Sequence, residues 1–105
     1  MKLSQLKTID INAKEWRDKI NGNSYFSSRV TLNYGMNNQE IIKVPFQYGY
    51  GDQYLYESLK VVQKLFPNSK WSKENLLGKY QIQKEYKIII RNFIQKNCLK
   101  KELNR

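Results

Sequence analysis

The stretch Ile9-Asp10-Ile11-Asn12-Ala13-Lys14-Glu15-Trp16-Arg17-Asp18-Lys19-Ile20-Asn21-Gly22-Asn23-Ser24-Tyr25-Phe26-Ser27-Ser28-Arg29-Val30-Thr31-Leu32 decides how the chain folds. Ile9, Ile11 and Ala13 alternate with Asp10, Asn12 and Lys14, the period of two expected of a strand with one buried face. Asn21-Gly22 is a strong hairpin signal, because a two-residue type I′ turn needs positive φ at both central positions. Such a turn sets Ala13 opposite Val30, Ile11 opposite Leu32 and Ile9 opposite Tyr34, all apolar and all on one face. Turn chemistry and hydrophobic pattern thus agree on strands near 8–20 and 23–34.

Beyond the hairpin, a third strand near 40–48 shows Ile42, Val44, Phe46 and Tyr48 on one parity and Lys43, Pro45 and Gln47 on the other. Pro45 has no N–H to give a ladder, so this strand belongs at an edge. Tyr48-Gly49-Tyr50-Gly51-Asp52 breaks the pattern, with Asp52 placed to cap a helix. Leu55, Leu59, Val62 and Phe66 then recur as one helical stripe, which Pro67-Asn68 ends. Ser72 is placed to cap a second helix burying Leu76, Leu77 and Tyr80, with Gly78 weakening it. The run Ile88-Ile89-Ile90 with Phe93 and Ile94 favours a fourth strand over 87–95, apolar on both faces; one continuous helix is the alternative. The expectation is an α+β fold of order β-β-β-α-α-β, an antiparallel sheet with helices packed on one face and the other face partly exposed. All 105 residues fit a single domain with one core, ending in a basic segment at 96–105.

Nineteen Lys and Arg stand against nine Asp and Glu, a net charge of +10, and residues 79–105 alone carry eight basic and two acidic side chains. That excess repels itself unless an anionic partner, nucleic acid or an acidic protein surface, exploits it. An AT-rich genome whose codons favour Lys, Asn and Ile would give the same composition. Cys98 is the one cysteine, which rules out an intrachain disulfide and fits a reducing, cytoplasmic compartment. Neither a signal peptide core nor an apolar run long enough to span a bilayer is present, so no membrane partner is expected.

The absence of histidine removes the commonest general base and the commonest metal ligand together. No Walker loop, no G-x-G-x-x-G after a strand and no nucleophile elbow occurs. Tyr48-Gly49-Tyr50-Gly51 has a glycine rhythm before a helix, where a phosphate could sit, but Asp52 would repel an anion and a capped structural turn is the preferred reading. The spacing of Asp10, Glu15, Asp18 and Asp52 does not demand a two-metal centre. No catalytic residue, metal or cofactor is therefore expected, and the chain reads as a binding protein. The hairpin register places Lys14 opposite Arg29, Trp16 opposite Ser27 and Asp18 opposite Tyr25 on the open face, with Lys43 and Gln47 beside them. Cations interleaved with rings suit single-stranded RNA, because the cations meet phosphates while the rings stack bases. The same side chains also anchor protein interfaces. A bulge near Glu15 would instead turn Trp16 and Ile20 into the core. Lys96, Lys100, Lys101 and Arg105 form a second basic patch, whose plainer reading is a solvated tail.

The blocks Trp16-Arg17-Asp18-Lys19-Ile20-Asn21-Gly22-Asn23-Ser24-Tyr25-Phe26 and Pro45-Phe46-Gln47-Tyr48-Gly49-Tyr50-Gly51-Asp52-Gln53-Tyr54 resemble small phage and prophage proteins of largely unassigned function. The resemblance covers about the first two-thirds of the chain and supplies no catalytic residues. It implies a phage or mobile-element origin, often in AT-rich Bacteroidetes hosts, where small proteins frequently counter host defence. In size, charge and lack of a catalytic set the chain is similar to many anti-CRISPR proteins. The partner this implies is a CRISPR effector or its RNA complex, specifically an RNA-targeting type VI-B effector. A small RNA- or DNA-binding regulator of phage origin is the alternative.

Overall fold

The alternation at Ile9, Ile11 and Ala13 is realised in β1 (Thr8–Asp18), which pairs on both sides. The computed structural model describes residues 1–75 and 78–104. β2 (Asn23–Leu32) and β3 (Glu40–Tyr48) continue the meander, and β4 (Ile89–Gln95) closes the sheet in the order β3-β2-β1-β4. The fold is α+β, with Pro45 on an edge strand as its missing N–H requires.

The sheet is mixed, which corrects the antiparallel expectation: β4 lies parallel to β1, pairing Ile9 with Ile90 and Ala13 with Ile94. Two antiparallel steps leave β3 running in the direction of β1. The chain then crosses one face through α1 (Gln53–Lys64) and α2 (Lys79–Tyr86) and re-enters in that same direction. Parallel neighbours need a long crossover of this kind. Short 3-10 turns at Leu3–Gln5 and Trp71–Lys73, unforeseen in the hydrophobic pattern, interrupt the element order, and a third follows β4 at Lys100–Asn104.

The β1–β2 hairpin exists, but its register is displaced by two residues, with Ile9 opposite Leu32, Ile11 opposite Val30 and Ala13 opposite Ser28. Asp18 is the reason. Its Oδ1 accepts from the backbone N–H groups of Ile20 and Asn21 at 3.0 and 3.3 Å, and its Oδ2 accepts from the Asn21 side-chain amide at 2.8 Å. Gly22 donates its N–H to the Asp18 carbonyl at 2.7 Å, closing a four-residue loop at Lys19–Gly22. Only Gly22 takes positive φ, at 72°, so the two-residue type I′ turn is not formed. A slip of two keeps the paired side chains of β1 and β2 on their expected faces, whereas a slip of one would have exchanged them; Tyr34, expected on the inner face opposite Ile9, lies beyond β2 and is exposed.

One core cluster lies between the sheet and α1. Ile9, Ile11, Phe26, Val30, Leu32, Val44 and Ile90 meet Leu55, Leu59 and Val62 there, with Phe66, Trp71 and Ile82 closing the sides. Ser28 and Ser58, both buried, satisfy each other through a 2.7 Å hydroxyl–hydroxyl hydrogen bond. Gly49 is required beneath Phe26, since a Cβ there would lie 2.7 Å from the ring's Cε1. Asp52 holds the N-cap position of α1 without a side-chain capping bond.

The second helix begins later than expected. Gly78 is its N-cap, with the Gly78 N–H donating to Gln81 Oε1 at 3.1 Å. Ser72 instead closes the 3-10 turn, donating from Oγ to the carbonyls of Pro67 and Ser69. Tyr80 is exposed and Ile82 carries the buried contact. The expected burial of Leu76 and Leu77, and the place of Arg105, lie outside the described residues. Among those described, no helix is long and apolar enough to cross a membrane.

Candidate functional site

The face of the sheet turned away from α1 is organised as cross-strand ladders. Nearest the hairpin loop, Trp16, Tyr25 and Tyr48 lie side by side on β1, β2 and β3. In the next ladder Gln95, Lys14 and Ser27 are adjacent, and beyond it Phe93, Asn12, Arg29 and Lys43 cross all four strands. At about 4.8 Å between strands, that last ladder spans roughly 14 Å. Arg91 and Asp10 follow, joined by a two-point ion pair at 2.6 and 2.9 Å.

The ring ladder is self-stacked. Trp16 and Tyr25 have centroids 5.5 Å apart, Tyr25 and Phe46 5.0 Å with planes 10° apart, and Tyr48 meets Tyr25 edge-on at 5.8 Å. Phe46 reaches this face because the β2–β3 register shifts between Phe26 and Ser28. Upstream of that bulge Val44 points into the core; downstream of it Phe46 and Tyr48 point outward, correcting the expectation that all of them share one parity. β1 itself pairs without interruption through Glu15, so Trp16 stays on the outer face, and Ile20 is exposed in the loop.

Lys14 faces Ser27 rather than Arg29, Trp16 faces Tyr25 rather than Ser27, and Asp18 faces Asn23, as the two-residue slip requires. Arg29 and Lys43 become direct neighbours. Among the described residues Lys14, Arg29 and Lys43 have no carboxylate partner, unlike Arg91 and Lys70.

The C-terminal segment is more than a solvated tail. Asn97, at φ 62°, turns the chain out of β4, and the Cys98 N–H donates to the Glu15 carbonyl at 3.0 Å. The 3-10 turn that follows lies across β1, β2 and β3. It seats Lys100 Nζ 5.3 Å from the centre of the Trp16 ring and buries Leu103. Of the basic residues expected there, Lys100 thus joins the ring ladder, while Lys96 and Lys101 are exposed and, among the described residues, take no part in an ion pair.

Between this strap and the sheet runs a groove of about 560 Å³, bounded by Leu103, Phe46 and Phe93 and carrying Lys14, Arg29 and Lys43. Among the described residues no carboxylate lines it. Leu103, Phe46 and Phe93 were not candidates from sequence. Pro45 was the available signal for Phe46, because proline inside a strand marks bulges as well as edges. Nothing local to Leu103 points across the sheet.

The arrangement defines a small mixed-sheet α+β protein with an aromatic and cationic outer face. Comparison with protein-family models, with curated proteins and with solved structures gives no match. Among the described residues no three Asp, Glu or Cys side chains converge as a metal site would require.

Proposed function

We propose that this chain is a binding protein without a reaction of its own, and that its outer sheet face takes single-stranded RNA. The observation that carries this reading is the gathering of Lys14, Arg29 and Lys43, free of carboxylate partners among the described residues, along a groove with aromatic walls. Cations of this kind neutralise phosphates and release counterions, while aromatic walls accept bases of any sequence. The net charge of +10 draws the strand in from a distance. In the setting the phage resemblance implies, that RNA is the guide of an RNA-targeting CRISPR effector, and the chain blocks productive assembly of the complex.

Titration of a fluorescent single-stranded RNA at several salt concentrations tests the reading. Three phosphate contacts predict an affinity that falls with salt at a logarithmic slope near −2, from about 0.7 per contact. Absence of RNA binding, together with stoichiometric binding to the RNA-free effector, would replace it with protein docking through Trp16, Tyr25 and Arg29. Inhibition of target-RNA cleavage by the assembled effector tests the counter-defence role separately.

A further inference from the structure

We infer that the groove beneath Leu103 seats one nucleobase of a bound strand on the Phe93 ring, with the flanking phosphates on Arg29 and Lys43. This rests on the RNA reading above and locates the stacking within it. Trp16, Tyr25 and Phe46 are the conspicuous rings, but they stack on one another and Lys100 lies over Trp16, so their faces are largely committed. Phe93 is 62% exposed and has no ring partner among the described residues. It stands at the β4 end of the ladder whose other end is Arg29 and Lys43, with Asn12 between.

The groove also carries hydrogen-bonding side chains, Asn12, Ser27 and Gln95, beside its apolar walls. Amide and hydroxyl groups of this kind hydrogen-bond base edges as well as phosphate and sugar, so they can hold a stacked base in its seat. A groove of about 560 Å³ falls within the range of small-ligand sites. Among the described residues no carboxylate lies in the lining, which favours an anionic ligand. Leu103 makes the C-terminal strap one wall of the seat, so the site does not exist on the sheet alone.

The test compares a short single-stranded RNA with an abasic strand of equal length and charge, in wild type, Phe93→Ala and Phe93→Tyr. Wild type should prefer the base-bearing strand by about tenfold, the effect of one stacked base. Phe93→Ala should lose that preference while keeping its melting temperature, and Phe93→Tyr should retain it. Equal wild-type affinity for the two strands, or an unchanged preference in Phe93→Ala, would overturn the base seat while leaving RNA binding by the face intact. Failure of wild type to bind either strand would remove the RNA reading itself. Competition by a free mononucleotide as effective as the strand would overturn the assignment to a nucleotide within a chain.

Discussion

The two faces of the same four strands contrast almost residue by residue. On β1, Ile9, Ile11 and Ala13 are buried against the helix side, whereas Asp10, Asn12, Lys14 and Trp16 look the other way. The inner face carries little polarity, and the hydroxyl of its Ser28 is satisfied by Ser58 of α1. The outer face carries cations without ion-pair partners among the described residues, stacked rings and a strap held by Leu103 and Lys100. Burial of apolar area on one side supplies the stability that lets the other side keep uncompensated charge. Substitutions should therefore separate cleanly, with the inner face governing folding and the outer face governing binding.

The largest effect is expected inside. Leu59→Ala removes a fully buried side chain from the contact between α1 and the sheet. It should cost about 2–5 kcal/mol in urea denaturation. A cost below about 1 kcal/mol would mean that α1 is not the main cover of the inner face.

Next comes the outer face. Arg29→Ala with Lys43→Ala should weaken RNA binding at least tenfold and lower the magnitude of the salt slope by about 1.4, two phosphate contacts at roughly 0.7 each. Stability should stay within about 0.5 kcal/mol per exposed site. Unfolding of this double variant would erase the contrast between the faces.

The smallest effect sharpens the comparison at the loop joining β1 to β2. Asn21's side-chain amide, followed by the backbone N–H groups of Asn21 and Ile20, holds the exposed Asp18 carboxyl below its ordinary value of 3.8. A carboxyl whose folded pKa is depressed stabilises the fold above its unfolded pKa, and that contribution is lost as pH falls through the folded one. The melting temperature of Asp18→Ala should lie slightly below that of wild type at neutral pH. The gap should close as pH drops below 3.8. A gap that persists in acid would assign the loop's stability to Gly22 rather than to the carboxylate.

The sequence carried the hairpin, the edge position of the Pro45 strand, the Leu55–Leu59–Val62 stripe and a strand within 87–95, because period and β-branching are local properties. It also carried the faces of β1 and β2, though not those of Phe46, Gln47 and Tyr48 beyond the bulge in β3. Lys14, Trp16, Tyr25, Arg29 and Lys43 lie on the predicted side despite the slipped register, since a shift of two preserves parity. The slip itself was decided by Asp18, whose side chain competes for the turn's N–H groups in a way that the Asn-Gly pair alone does not reveal. Gly78 as the start of α2 was read only as a weakness, because its capping partner Gln81 carries no periodic signal.

Strand periodicity and turn residues by themselves determined that this chain builds a sheet with one apolar and one charged side, because each side chain's facing follows from its own position in the strand. Tertiary structure alone decided that β4 runs parallel beside β1, that the bulge beyond Val44 turns Phe46 outward, and that Leu103 crosses the sheet to wall a groove with Phe93. Those three outcomes depend on contacts between residues far apart in the chain, whose energy is set by what the rest of the fold has left uncovered.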